Sequence, residues 1–302
     1  MSKLPNGVDI NNLIDNLRII SWEAADIMLN YSKILKNQNN RGKIINNLNL
    51  DNPVTLADIQ VNEIIINNLN EKYKEIPWEI ISEENVKILP NNQPTTAEWL
   101  WVLDPLDGTK DFIQGTGNYA MHLALNHNQN PYIGIVLIPE REELWISHGK
   151  NFWGEKRDGT KVKSYLSKKK QLKDMILVTS KNHRNETLRN LIHKIQFNEV
   201  KIMGSIGCKV SSILRGESDI YICLSQPGGS SPKDWDFAAP AALLKASGGL
   251  ITTIDNEELT YGKDDYSQGG IIVASSDANS HKNICLEIKE IIMKYKIYPD
   301  LA

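Results

Sequence analysis

Glu98-Trp99-Leu100-Trp101-Val102-Leu103-Asp104-Pro105-Leu106-Asp107-Gly108-Thr109 is the stretch on which the fold turns. Its first half is a near-continuous apolar, β-prone run, the pattern of a strand covered on both faces. The strand is expected to stop at Asp104-Pro105, because proline has no N–H to give a ladder. The second half delivers Asp104 and Asp107 around a proline turn that can aim both carboxylates and the Leu106 carbonyl at one point. Hard divalent cations take such all-oxygen surroundings. Gly108 and Thr109 add backbone N–H groups and a hydroxyl suited to a phosphate oxygen. The alternative is a solvated turn, for which Asp, Pro and Gly are ordinary residues.

Outward from this stretch, apolar residues at helical spacing predict a helix from Ile10 to about Leu35, followed by a loop from Lys36 to Asn52. Pro53-Val54-Thr55-Leu56-Ala57-Asp58 opens a second helix, with Thr55 and Asp58 in a capping arrangement. A short strand, Trp78 to Ile81, ends at Ser82-Glu83-Glu84-Asn85, which alone reads as a solvated loop. Strands are expected at Ala120–Leu125, Tyr132–Ile138 and Glu143–Ser147. The polar, basic stretch Gly159 to Lys173 marks a boundary between a unit 1–165, with helices on an antiparallel or mixed sheet, and a unit 166–302. In the second unit, strands at Ile176–Ser180, Ile220–Leu224 and Gly270–Ser275 alternate with helices at Asn185–Ile195, Gly204–Gly216, Phe237–Ser247 and His281–Lys294. The fold class is therefore α/β, a layered α+β sandwich of two α/β subdomains.

Asp236 precedes one of these helices, where an N-cap role suffices to explain it. The combination carries more than its parts. Asp58, Glu83-Glu84, Asp104/Asp107 and Asp236 all sit where a strand ends or a helix begins, the usual address of α/β active sites. If they converge, their carboxylates repel and cannot all stay ionised without cations.

The bulk properties exclude several classes. The 302 residues are 41% hydrophobic and 24% charged, with a net charge of −3 and a pI near 6.1. That is globular composition, and Lys168-Lys169-Lys170 is the longest basic run, so a nucleic-acid polymer is not the expected partner. No apolar stretch approaches a bilayer span and the first residues lack a signal pattern. Cys208, Cys223 and Cys285 form neither a disulfide framework nor a metal pair, so a cytoplasmic setting is expected.

Pro-Val-Thr-Leu-Ala-Asp at 53–58, Glu83-Glu84, Asp-Pro-Leu-Asp-Gly-Thr at 104–109 and Trp-Asp-Phe-Ala-Ala at 235–239, followed by Gly248-Gly249, resemble the inositol monophosphatase superfamily of lithium-sensitive, Mg²⁺-dependent phosphatases. Lys110-Asp111-Phe112 and Thr179-Ser180-Lys181-Asn182-His183 are most similar to its 3′(2′),5′-bisphosphate nucleotidases. The chain departs from the usual pattern at Ser82, Asn85, Pro240 and the stretch Gln226–Lys233. The resemblance implies an inositol monophosphatase-like fold and two or three Mg²⁺ ions. Glu83, Asp104 and the Leu106 carbonyl would hold one, Asp104, Asp107 and Asp236 a second, and Glu83 with Asp58 a third. Asp58, Thr109 and Glu83 would be catalytic; Gly108, Thr109, Lys110, His183 and Lys209 would contact the substrate. The implied reaction is removal of the 3′-phosphate of adenosine 3′,5′-bisphosphate. An inositol monophosphatase, a sugar-bisphosphatase and a silent nucleotide- or metal-binding regulator are the alternatives. A small phosphate ester is the expected partner, with no membrane, and a homodimer is compatible with the sequence.

Overall fold

The computed structural model of the chain describes residues 4–36, 45–47, 54–88, 97–180 and 186–298. Helices α1 (Ile10–Lys36) and α2 (Leu56–Lys72) are separated in sequence by a small antiparallel pair, β1 (Ile45–Asn47) with β2 (Val54–Thr55). Next come β3 (Glu79–Ser82), α3 (Glu83–Ile88), β4 (Trp99–Asp107), α4 (Thr109–Gln114), β5 (Ala120–His127), β6 (Asn130–Ile138), β7 (Glu143–His148), β8 (Asn151–Glu155) and β9 (Lys161–Val162). Strands β3 to β9 form a seven-stranded sheet in chain order, antiparallel except for the β3–β4 pair.

The rest of the chain adds β10 (Ile176–Thr179), α5 (Glu186–Ile195), β11 (Glu199–Ile202), α6 (Ile206–Leu214), β12 (Ile220–Leu224), α7 (Asp234–Ser247), β13 (Leu250–Thr253), β14 (Ile271–Ser275) and α8 (Ala278–Tyr295). Its five-stranded sheet runs β11-β10-β12-β14-β13.

Alternation along the strands explains the layering. On β4, Trp99, Trp101 and Leu103 face a core made with α1 and α2. Leu100 and Val102 face the opposite way, into a core shared with α6, α7 and the inner face of the small sheet. The outer face of that sheet, with Leu177, Ile222 and Val273, packs on α5 and α8. The order is helices, sheet, helices, sheet, helices. Helix α7 lies so close to the large sheet that a Cβ on Gly134 would stand 2.6 Å from the Ala242 Cβ. Glycine is what lets helix and strand touch there.

The structure departs from the sequence expectations at identifiable places. Strand β4 does not stop before Pro105 but runs to Asp107, because its pairing with β5 jumps from Asp104–His122 to Asp107–Ala120. That bulge adds one residue to β4 and accommodates the proline without breaking the sheet. Glu83-Glu84 starts a helix rather than a loop. Helix α7 begins at Asp234, so Asp236 lies in its first turn instead of capping it, and Pro240 lies in the second turn rather than the first. Strand β1 falls inside the expected loop 36–52. Strands β8, β9, β11 and β13 were not legible as short runs.

Candidate active site

Parallel pairing of β3 with β4 sets Ser82 opposite Leu103, so Glu83, next in the chain, starts α3 beside Asp104. Beyond Asp104, the bulge turns the strand, and the Leu106 N–H donates to Asp104 Oδ1 at 3.0 Å. Asp107 meets the start of α6. Its Oδ2 accepts from the Ser205 hydroxyl at 2.6 Å, from the Ile206 N–H and from the Gly207 N–H at 3.2 Å. The positive end of that helix thus faces a carboxylate.

Asp236 arrives on α7, its Oδ2 accepting the Lys233 N–H at 2.6 Å. Carboxylate oxygens of Asp104, Asp107 and Asp236 lie within 4.8 Å of one another. Asp58 arrives on α2. Its Oδ2 accepts the Thr55 N–H at 2.9 Å and the Thr55 hydroxyl at 2.5 Å, while Thr55 Oγ1 accepts the Ala57 N–H. The Thr109 hydroxyl lies 3.1 Å from the Leu106 carbonyl and 3.3 Å from Asp58 Oδ1, sharing one proton between them. Gly108 holds the turn at φ +90°, where a Cβ would stand 2.9 Å from the Asn118 carbonyl. A side chain is excluded there on both counts.

The electrostatics follow from crowding carboxylates out of water. Burial pushes the Asp104 carboxyl well up, and Glu83, Asp107, Asp236 and Asp58 all push the same way. Asp236 is also raised well above the ordinary range, by burial and then by Asp107. Glu83 is raised by burial and by Glu84, against the ammonium of Lys87. Asp58 is pushed up to about 7 by burial, although the Thr55 hydroxyl opposes it. A cluster of hard oxygen donors that cannot ionise together fits divalent cations of the Mg²⁺ kind, whose charge would let the carboxylates ionise.

Several neighbours were not singled out from the sequence. Lys87 lies 3.0 Å from Glu83 and 2.8 Å from Glu84. Its spacing of four and three residues from that pair is a helical signal, hidden because the segment was read as a loop. Ser205 and His122 have no local signal. His122 is buried, its Nδ1 3.2 Å from the Trp235 carbonyl and its Nε2 3.2 Å from Asp107 Oδ2. Burial pushes the imidazole down, and Asp107 opposes that.

The remaining sequence-predicted residues are spread unevenly. Lys110 is the second residue of α4, partly exposed, with no ion pair among the described residues. Asp111 and Phe112 are buried. Lys209 is only 2% exposed. Its ammonium donates to the Ser205 carbonyl at 3.0 Å and lies 5.2 Å from the Tyr221 ring centroid, behind the acidic cluster. Burial lowers its pKa and Asp107 raises it. His183 lies outside the described residues.

The motifs at this cluster are those of a known family, and the Inositol monophosphatase family matches residues 13–293. The chain belongs to the inositol monophosphatase family. It is a phosphatase of that family. The 3′(2′),5′-bisphosphate nucleotidase CysQ of Buchnera aphidicola is 33% identical over 211 residues, covering 69% of this chain and 74% of the relative. Among solved family structures, an IMPase of Thermotoga maritima superposes with a TM-score of 0.70 at 17% identity, covering 94% of this chain and 99% of that one. SaIMPase-II with bound 2′-AMP superposes at 0.66 and 19% identity, covering 94% of this chain and 98% of that one. These structures share the layered fold described above. Among the described residues, no helix is long and apolar enough to cross a membrane.

Proposed function

We propose that the chain is a Mg²⁺-dependent phosphatase that removes the 3′-phosphate of adenosine 3′,5′-bisphosphate, giving AMP and phosphate. The observation that carries this is the convergence of Asp104, Asp107 and Asp236 within 4.8 Å, beside a Thr109 hydroxyl 3.3 Å from Asp58. Glu83, Asp104 and the Leu106 carbonyl would hold one cation, Asp104, Asp107 and Asp236 another, and Glu83 with Asp58 a third. When bound, such ions acidify a coordinated water and neutralise charge on the phosphate and its leaving oxygen.

The chain's own residues supply the rest. Thr109, its one proton directed to the Leu106 carbonyl and Asp58, orients the attacking water by accepting from it on Oγ1. Asp58, whose carboxyl burial raises, accepts the water's proton, with Glu83 as the other acceptor in reach of the site. The Gly108 and Thr109 N–H groups hold the phosphate, and because water attacks it directly no covalent intermediate is required. Lys209, buried behind the cluster, balances charge rather than gripping substrate from the surface.

The nucleotide is preferred over an inositol ester because a relative 33% identical is a bisphosphate nucleotidase. Lys110 is the one member of the Lys110-Asp111-Phe112 segment left partly open. SaIMPase-II, solved with inositol monophosphate and with 2′-AMP, is 18–19% identical and shares the fold alone. A silent regulator is disfavoured because every expected ligand position carries an oxygen donor. Phosphate release from adenosine 3′,5′-bisphosphate and from inositol 1-phosphate, with Mg²⁺ and then with excess EDTA, tests the proposal. Mg²⁺-dependent turnover of the nucleotide supports it. Preference for the inositol ester overturns the substrate, and EDTA-resistant turnover overturns the metal.

A further inference from the structure

The chain just ahead of Asp236 is bonded by a segment some thirty residues further along. The strap between β13 and β14, residues 260–268, lies along residues 232–235. Lys233 and Ser267 form an antiparallel bridge, the Gln268 N–H donates to the Pro232 carbonyl at 2.8 Å, and the Asp234 N–H to the Tyr266 carbonyl at 2.9 Å. Side chains lock the same seam. Asp234, fully buried, accepts the Gly262 N–H at 2.5 Å on Oδ2 and the Gln268 Nε2–H at 2.6 Å on Oδ1. The second Gln268 Nε2–H reaches the Thr260 carbonyl at 2.8 Å. The Lys233 ammonium donates to the Asp265 carbonyl at 2.9 Å and the Ser267 hydroxyl at 2.7 Å.

This seam fixes atoms that the acidic cluster uses. The Lys233 N–H is the donor that orients Asp236 Oδ2. The Trp235 carbonyl, one residue on from Asp234, is the partner of His122, whose other nitrogen faces Asp107. A shift of the backbone at 233–235 is therefore passed to Asp236 directly. Burying an aspartate costs free energy that a helix start does not require, since a solvated acid caps as well. The two side-chain and main-chain donors aimed at it offset that cost only while the strap is docked.

We infer that Asp234 and Gln268 are a positioning pair that sets the cation affinity of the site by fixing Asp236. This rests on the reading of Asp236 as a cation ligand. Outer hydrogen bonds of this kind change metal affinity by about 10- to 100-fold. The test is calorimetric titration of Mg²⁺ into wild type, Asp234→Asn, Gln268→Met and the double variant, with melting temperatures taken in EDTA. In Asp234→Asn an amide N–H must face another donor, so its dissociation constant is expected to rise about 10-fold. Gln268→Met is expected to rise similarly, and the double variant no more than the larger single, because both break one contact. Ile288→Val, in the outer core of the small sheet, is the control. It lowers the melting temperature and leaves Mg²⁺ affinity unchanged. If Asp234→Asn does not fold, Lys233→Met removes the milder half of the seam and is expected to weaken Mg²⁺ by up to about 10-fold, the low end of such effects. Wild-type affinity in the folded variants overturns the positioning role alone. No Mg²⁺ binding by wild type overturns the cation reading, and the positioning role with it.

Discussion

The starts of α2 and α7 use one local device for two ends. Asp58 and Asp236 each occupy the third position of a helix, and each accepts the N–H of the residue three before it, at 2.9 and 2.6 Å. Burial raises both carboxyls. The difference lies in what else each touches. Asp58 is also bonded by the Thr55 hydroxyl and reached by Thr109, whereas Asp236 stands among Asp104 and Asp107. On the proposed mechanism the first arrangement would take up a proton at a defined place, and the second, a set of competing carboxylates, would hold a cation. Identical caps therefore do not imply identical roles; the neighbours brought in by the sheet decide.

The largest effect should come from separating these roles. Asp236→Asn and Asp107→Asn are expected to lower kcat by at least about 10³-fold, a loss of the kind seen when a principal electrostatic group is removed. Asp58→Asn is expected to cost about 10²- to 10⁴-fold, as for a lost general base, while by calorimetry only the third Mg²⁺ site, shared with Glu83, weakens and the others stay near wild type. Loss of Mg²⁺ binding in Asp58→Asn would erase the distinction between the two helix starts.

Mg²⁺ itself gives the next effect. At about 100 times its dissociation constant, the ion should stabilise the wild type by about 2.7 kcal/mol through binding the folded state alone. The rise in melting temperature should vanish in Asp236→Asn and persist in Asp58→Asn. An equal rise in both variants would contradict the assignment of ligands.

Thr55→Val sharpens the α2 side. Removing the cap costs about 1 kcal/mol. The Thr55 hydroxyl holds the Asp58 carboxyl down, so its loss moves that pKa further up from about 7. Because the ionised form is the base, the acidic limb of the kcat profile should shift to higher pH. A limb that stays put would remove Asp58 from the proton transfer.

The smallest test uses a buried group remote from both helices. His281 is buried, its Nδ1 2.6 Å from the Ser275 hydroxyl and its Nε2 2.8 Å from the Thr252 hydroxyl. Burial lowers its pKa to about 4 from the ordinary 6.5. The unfolded chain then binds the extra proton between these values, so stability is full above pH 6.5 and is lost as pH falls towards 4. The contribution is at most about 3 kcal/mol. His281→Gln should flatten the denaturation midpoint over that window without moving the pH dependence of kcat. A shift in the kcat profile would mean that the site's titration is not confined to α2, α3, β4 and α7.

Much of this was legible in particular residues. The run Trp99 to Leu103 announced a strand covered on both faces because neither parity of the alternation is polar. The capping box at Thr55 and Asp58 was legible because its partners lie three residues apart. Asp104, Asp107 and Asp236 were named together through the family resemblance, since spacing alone also allowed a solvated turn and a helix cap. The bulge at Pro105 was not legible, because it depends on the register with β5. Lys87 escaped with the helix that carries it, and Ser205, His122 and the strap on Asp234 lie too far along the chain for any local pattern to tie them to the site.

The sequence by itself determined the doubly covered strand that carries Asp104, the helix starts that present Asp58 and Asp236, and the oxygen-only chemistry, because each depends on residues a few positions apart. The tertiary structure alone decided that three aspartates stand within 4.8 Å, that Lys209 lies behind them, and that residues 260–268 bond the backbone and side chains just ahead of Asp236. Those facts depend on which strand pairs with which and on a helix of the second half packing against the sheet of the first, and no short-range pattern encodes such distances.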